Sequence, residues 1–325
     1  MKLQKRVLFW ITTVVILVSI FATSGAAAAS APRVNSNEAI YPMAFSPSLG
    51  AASSFAVLGA TAVTNVPTSA ITGDVGLSPA AGSYYTGLTA AQVTGTIYAV
   101  DATGPAGSVN NPVLLNNAQI ANTAAFGALS AGDNAACTTD YGAIIKDLAG
   151  LTLPPGVYCA NSFRLSGTLL LDDTGAADGV WIFRTASGGD LTTTPGSVAK
   201  VQFLTGIGSP CNVWWKVVSS ATIDTGTTFI GNILALTSIS LKTGATLNGR
   251  ALAQTGAVTM ESNTISVLPC GTPTPPTPPV PPGGGVGGEA YPVSKLGIMA
   301  PWIGLAMLFI GGIGWLTLRR RRAQS

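Results

Sequence analysis

The sequence predicts a mainly β protein: a three-sided β-solenoid with one long α-helix packed alongside. Three observations predict it. The last third of the body repeats with a period of 18 residues, the body is poor in charge and rich in Gly, Ala, Ser and Thr, and one segment switches to helical apolar spacing.

The repeat aligns Ala221-TIDTGTTFIGNILALT with Ile239-SLKTGATLNGRALAQT, so that Ile223 matches Leu241, Gly226 matches Gly244, Phe229 matches Leu247 and Gly231 matches Gly249. A weaker copy starts at Ala257, with Thr264 and Ile265 in the places of Thr246 and Leu247, and Pro67-TSAITGDVG fits the same frame through Ile71 and Gly73. Strands of about four to six residues allow roughly three per period, hence a triangular coil. Apolar residues at equivalent positions stack inward, and the recurring glycines permit tight corners.

The helix is expected over about Val113 to Ser130. Apolar residues Leu115, Ala118, Ile120, Ala121, Ala125, Phe126 and Leu129 fall at spacings of three and four, with Pro112 suited to the first turn and Gly132 to the stop. Its apolar stripe should cover one flank of the solenoid.

Around this body, residues 49–268, the ends have their own logic. Met1 to Arg6 is basic, an apolar stretch runs to Phe21 and a small-residue run follows, the layout of a signal peptide over residues 1–30 cleaved within Gly25 to Ser30. Residues 31–48 form a leader. Pro269 to Pro282 holds eight prolines and Gly283 to Gly288 is glycine-rich, so residues 269–294 read as a stalk. Within residues 295–325, Leu296 to Leu318 is uncharged and long enough to cross a bilayer, and Arg319 to Arg322 would hold that end in the cytoplasm. The expected product is an exported, membrane-anchored surface protein with a monomeric ectodomain. The arrangement resembles the C-terminal anchors and sorting signals of microbial surface proteins.

The composition excludes several functions. Residues 49–268 carry seven basic and eleven acidic residues, a net charge of −4, which is unlike a basic nucleic-acid groove. There is no histidine, so Ser-His and Cys-His catalysis is excluded, and no CxxC spacing suggests zinc. No cofactor is expected. In an oxidising compartment the four cysteines Cys137, Cys159, Cys211 and Cys270 suggest two disulfides, with Cys137–Cys159 and Cys211–Cys270 favoured over the other two connectivities. Asp172, Asp173 and Asp178 form the remaining acid cluster. Adjacent strand residues face opposite sides, and Asp-Gly-Thr runs are ordinary corners, so a turn role outweighs a carboxylate-dependent lyase or hydrolase working through Asp172 or Asp178. Asp74 and the pair Arg250 and Glu261 read as buried polar anchors in the solenoid. Trp181, Trp214 and Trp215 could suggest a carbohydrate platform, but consecutive residues such as Trp214 and Trp215 cannot both face it.

The threonines are the remaining signal. Thr225, Thr227 and Thr228 recur as Thr243 and Thr246, followed by Ser262 and Thr264. Stacked coils would set equivalent residues about 4.8 Å apart, giving an uncharged plane of hydroxyls and methyls that can order water.

Several segments, taken in order, resemble the microbial ice-binding (antifreeze) protein family. They are Ser53-SFAVLGATAVTN, Ile71-TGDVGLSP, Asn116-NAQIA, Leu151-TLPPGVY, Val180-WIFRT, Cys211-NVWWKV and the run from Phe229 to Met260. The resemblance covers essentially residues 50–268. It implies an irregular three-sided solenoid in which an N-terminal segment completes some coils, a flanking helix, and adsorption to an ice crystal through one flat face. Thr225 to Thr228 and Thr243 to Thr246 match the Thr-Ala/Gly-x-Thr/Asn motif of some members, whereas Glu261 stands where the third copy should have Thr. The expected function is therefore non-catalytic: curbing ice growth or recrystallisation, or attaching the cell to ice. The alternative is a surface adhesin for glycan or protein.

Overall fold

The computed structural model describes residues 44–194 and 199–267. The expected signal peptide, stalk, apolar anchor segment and Cys270 lie outside the described residues, as does most of the leader. Among the described residues no helix is long and apolar enough to cross a membrane.

Short strands coil into three parallel ladders, named here faces A, B and C. Each full coil runs A, B, C and back to A. Face B is the most regular, with Ala221–Ile223, Ile239–Leu241 and Val258–Met260 paired side by side. Strands Thr228–Ala235 and Thr246–Ala253 begin on face C and bend onto face A, in register from Thr228↔Thr246 to Ala235↔Ala253. The bends fall at Gly231 and Gly249, whose φ values of 113° and 148° disfavour a side chain. A Cβ on Gly249 would lie 2.0 Å from the Gly231 carbonyl oxygen, so the corner requires glycine on steric grounds as well. The 18-residue repeat is thus one coil, as the sequence predicts. Thr264 and Ile265 continue it in register with Thr246 and Leu247.

The coils are not stacked in chain order. Strand Phe55–Gly59 pairs with the second half of Thr246–Ala253, Val63–Asn65 with Val258–Met260, and Ala70–Thr72 with Thr264–Ser266. The first coil therefore sits against the last, with Ile71 beside Ile265 and Gly73 (φ 125°) at the corner. Because Phe55–Gly59 fills the face A position next to the last coil, Val267, the last described residue, sits at the vertex between faces C and A, its N–H donating to the Thr72 carbonyl at 3.0 Å.

Inside, aromatic residues line up along the axis. Phe183 stacks on Trp215 at 4.0 Å, and Tyr158, Phe163 and Phe229 extend the column. Burying side chains of this size contributes the largest apolar term available to a fold so rich in small residues.

The helix spans Pro112–Ala128, close to the expected bounds. Asn111 caps it by accepting from the Leu114 N–H at 3.0 Å. Leu115, Ala118, Ala125 and Leu129 are buried against Phe55, Leu58, Val157, Ile182, Trp214, Leu234 and Leu252 on the outside of face A. Ile120 departs from the expected stripe and is 58 % exposed, because a stripe built on Leu115 and Ala118 turns that position outward. Gln119 ties the helix down by donating to the Gly59 and Ser78 carbonyls at 3.2 and 3.0 Å. After the last turn, Arg184 donates to the carbonyls of Leu129 and Ala135, and Lys216 donates to Ser130 Oγ, placing cations at the negative end of the helix. Burial, and next the nearby Arg184, lower the Lys216 pKa.

Cys137 and Cys159 form a disulfide, as expected. Cys211 is also disulfide-bonded, while its expected partner Cys270 lies outside the described residues.

Candidate functional surface

Each central strand of face B has three residues, of which the outer two are buried and the middle one points to solvent. Strand pairing sets those middle residues in one column: Thr192, Thr222, Ser240, Thr259, Thr64 and Thr86. All six carry a hydroxyl and five a methyl as well. At about 4.8 Å per step the column is roughly 24 Å long. Side chains inward of it, including Leu191, Ile223, Ile239, Leu241, Val258, Met260 and Val63, belong to the interior core, so the column stands on a packed support. Thr193 turns inward and its Oγ1 accepts from the Asp224 N–H at 2.6 Å, fixing the adjoining corner. The column joins N-terminal and C-terminal parts of the chain at unequal sequence spacings, which is why the sequence does not display it.

The threonines singled out from the repeat fall elsewhere. Thr225 and Thr243 are exposed at the corner where face B turns toward face C, beside Gly226 and Gly244 (φ 70° and 72°). The Gly226 N–H donates to the Thr243 carbonyl at 3.1 Å, stacking the two corners. Ser262 is exposed at the same corner and has φ 53°, the conformation its glycine counterparts adopt. Thr228, Thr246 and Thr264 form a column on face C instead. Thr227 is a correction: it is fully buried, and its hydroxyl lies 3.2 Å from that of Thr193. The left-handed Gly226 rotates the next residue inward, so strand alternation does not carry through the motif. The recurring threonines therefore do not share one plane.

Beyond Thr192 the face B column continues into exposed Arg164, so its charge lies past the end of the hydroxyl run, whereas face C carries charge in mid-column. The first outward column of face C places Lys200 between Thr168 and Thr228, and its second contains Leu170, Gln202, Ile230 and Asn248. The helix covers face A. The first described residues also lie on that side, where Ser46 Oγ accepts from Trp214 Nε1 at 3.0 Å and Phe45 N–H donates to Asn134 Oδ1 at 3.2 Å.

The other candidate groups have structural partners. Asp173 is buried and accepts from the N–H groups of Thr205, Ile207 and Gly208 at 2.7–2.8 Å. Burial alone would raise its pKa, but these donors outweigh it and hold the carboxyl well below the usual carboxylate range. Asp172 accepts from the Thr174 N–H in a local turn, and Asp74 accepts from the Thr96 N–H. Arg250 donates to the Ser53 carbonyl and to Asn232 Oδ1, and burial lowers its pKa to about 10. Glu261 is partly exposed and pairs with Lys242 rather than with Arg250. Trp181, Trp214 and Trp215 are all buried, so none offers a stacking platform for sugar. A cavity of about 640 Å³ lies beside the Cys137–Cys159 bridge, and Asp178 is its one lining carboxylate, without Asp172. Among the described residues no group of three His, Cys, Asp or Glu could hold a metal ion.

Residues 57–266 match the family model described as ice-binding-like. An ice-binding protein from Nostoc sp. (strain HG1) is 42% identical over 220 residues, covering 67% of this chain and 73% of that protein. One from Flavobacterium frigoris (strain PS1) is 38% identical over 223 residues, covering 67% and 75%. Among solved structures, an ice-binding protein from an Arctic yeast has 31% identity and a TM-score of 0.60, covering 71% of this chain and 97% of that one. A domain of ice-binding protein 1 of Shewanella frigidimarina has 29% identity and a TM-score of 0.59, covering 69% and 98%.

Proposed function

The chain belongs to the ice-binding-like family, and on that footing we propose that it adsorbs to ice through face B. The single observation behind this choice of face is the unbroken column Thr192, Thr222, Ser240, Thr259, Thr64, Thr86. Ice presents a flat, repeating array of water oxygens. A protein binds it by holding its own first water layer in a compatible arrangement. Methyl groups favour caged water, and hydroxyls anchor that cage by hydrogen bonds. The arrangement has to be rigid beforehand, because ordering a mobile surface on contact would consume the small gain per group. Thr225, Thr243 and Ser262 extend the plane along its corner with face C. Thr228, Thr246 and Thr264 lie on the neighbouring face and are assigned to the edge of the surface.

Face B is clear of the helix, of the first described residues and of Val267, the last described residue of the solenoid. The expected signal peptide, stalk and apolar segment followed by four arginines would place the chain at a cell surface, anchored in the membrane. No catalytic step is part of this function.

The test is direct. The purified chain should shape single ice crystals and separate their freezing and melting points. A folded chain that leaves crystal shape and growth unchanged would overturn the reading.

A further inference from the structure

Along the rim of face B, strand register sets Asp224, Lys242 and Glu261 side by side, each next in sequence to a face B strand. These are the charges nearest the middle of the hydroxyl column. Two of them form the single ion pair found among the described residues: Lys242 Nζ lies 3.3 Å from Glu261 Oε1. The other carboxylate oxygen, Oε2, accepts from Thr243 Oγ1 at 3.1 Å. Glu261 is itself held, since its N–H donates to Asn263 Oδ1 at 2.6 Å, and Asn263 is buried and donates to the Lys242 carbonyl at 2.8 Å. One carboxylate thus fixes both a cation and a threonine hydroxyl at the edge of the plane.

A pair this exposed contributes little to stability, because water screens it and two long side chains must be ordered to form it. Its geometry has a consequence for the surface instead. A lysine is a strongly hydrated point charge on a flexible four-carbon stem. Left free at this position, its ammonium would sweep the space over Ser240 and Thr243 and carry a water shell of its own.

We propose that Glu261 is a positioning residue of the ice-binding surface, which pins the Lys242 ammonium to the rim and sets the Thr243 hydroxyl. In the third copy of the motif it stands where threonine is expected, and it replaces one water-ordering group by a clamp on two neighbours. The proposal rests on face B, with its rim, being the ice-binding surface.

Three chains test it: the wild type, Glu261→Gln, and Glu261→Gln combined with Lys242→Ala. Glu261→Gln should lower thermal hysteresis about two- to tenfold, the cost of immobilising one long side chain at an interface, with an unchanged melting temperature. The double variant should recover most of that loss, since no ammonium remains to be held. Undiminished hysteresis in Glu261→Gln, or a double variant no better than the single one, would overturn the proposal. A second readout needs no ice: acylation of Lys242, followed by mass spectrometry, should be faster in Glu261→Gln than in the wild type. An equal rate would show that no clamp exists. A faster rate in a chain lacking hysteresis altogether would keep the clamp and reject the ice reading.

Discussion

Replacing Thr259 by tyrosine separates face B from face C as the adsorbing surface. Thr259 is fourth in the column, between Ser240 and Thr64. A phenol ring there stands above its neighbours and divides a flat run of roughly 24 Å, leaving a longest uninterrupted stretch of about 10 Å. If the adjoining hydroxyls at Ser240 and Thr64 each forfeit a water contact worth about 1 kcal/mol, ice affinity falls about thirtyfold. The fold should not notice. An outward substitution on a strand costs within roughly 0.5 kcal/mol, a shift of about 2 °C or less for a domain of this size. Gln202→Tyr is the matched control, at an exposed position on face C beside Leu170. Thermal hysteresis, with melting followed by circular dichroism, should show a large loss for Thr259→Tyr and almost none for Gln202→Tyr at similar melting temperatures. Equal losses, or an unimpaired Thr259→Tyr, would refute the argument from the column.

Four further substitutions probe the scaffold. Gly249→Ala should prevent correct folding or destabilise it severely, because the added Cβ meets the Gly231 carbonyl oxygen at 2.0 Å with φ at 148°; Gly127→Ala, in the helix with open space around it, should raise stability by about 0.5–1 kcal/mol in thermal melts. Phe183→Ala removes the centre of the aromatic column and should cost about 3–5 kcal/mol by urea denaturation. Asp173 has its pKa depressed in the folded state, so its contribution is complete above the unfolded value of about 4 and is lost as pH falls through the folded value. Asp173→Asn should lower the melting temperature at pH 7, speed amide exchange at Thr205, Ile207 and Gly208, and flatten the acid limb of stability below about pH 4.

Much of the architecture was legible because the physics behind it is local and repeated. The 18-residue period, the corner glycines Gly231 and Gly249 and the helix with Pro112 in its first turn all follow from side-chain size and backbone freedom at fixed positions. The fit of Ile71 and Gly73 to the same frame pointed to an early segment sharing the coil geometry. Two things were not legible. Thr227 looks equivalent to its neighbours as a letter, yet the turn at Gly226 drives it inside, and period-two alternation does not survive a left-handed residue. The face B column was hidden for a different reason. Each three-residue strand contributes one outward side chain, and Thr64 joins Thr259 only because the first coil packs against the last. Threonines such as Thr222 and Thr259 were in view throughout, but nothing local distinguishes them from ordinary strand residues.

Partition between slowly growing ice and the remaining liquid tests the central claim most directly. The wild-type chain should be concentrated in the ice, while a chain carrying Thr222→Arg and Thr259→Arg, folded to the same extent, should remain in the liquid. Exclusion of the wild type from the ice, or equal incorporation of both chains, would contradict adsorption through face B.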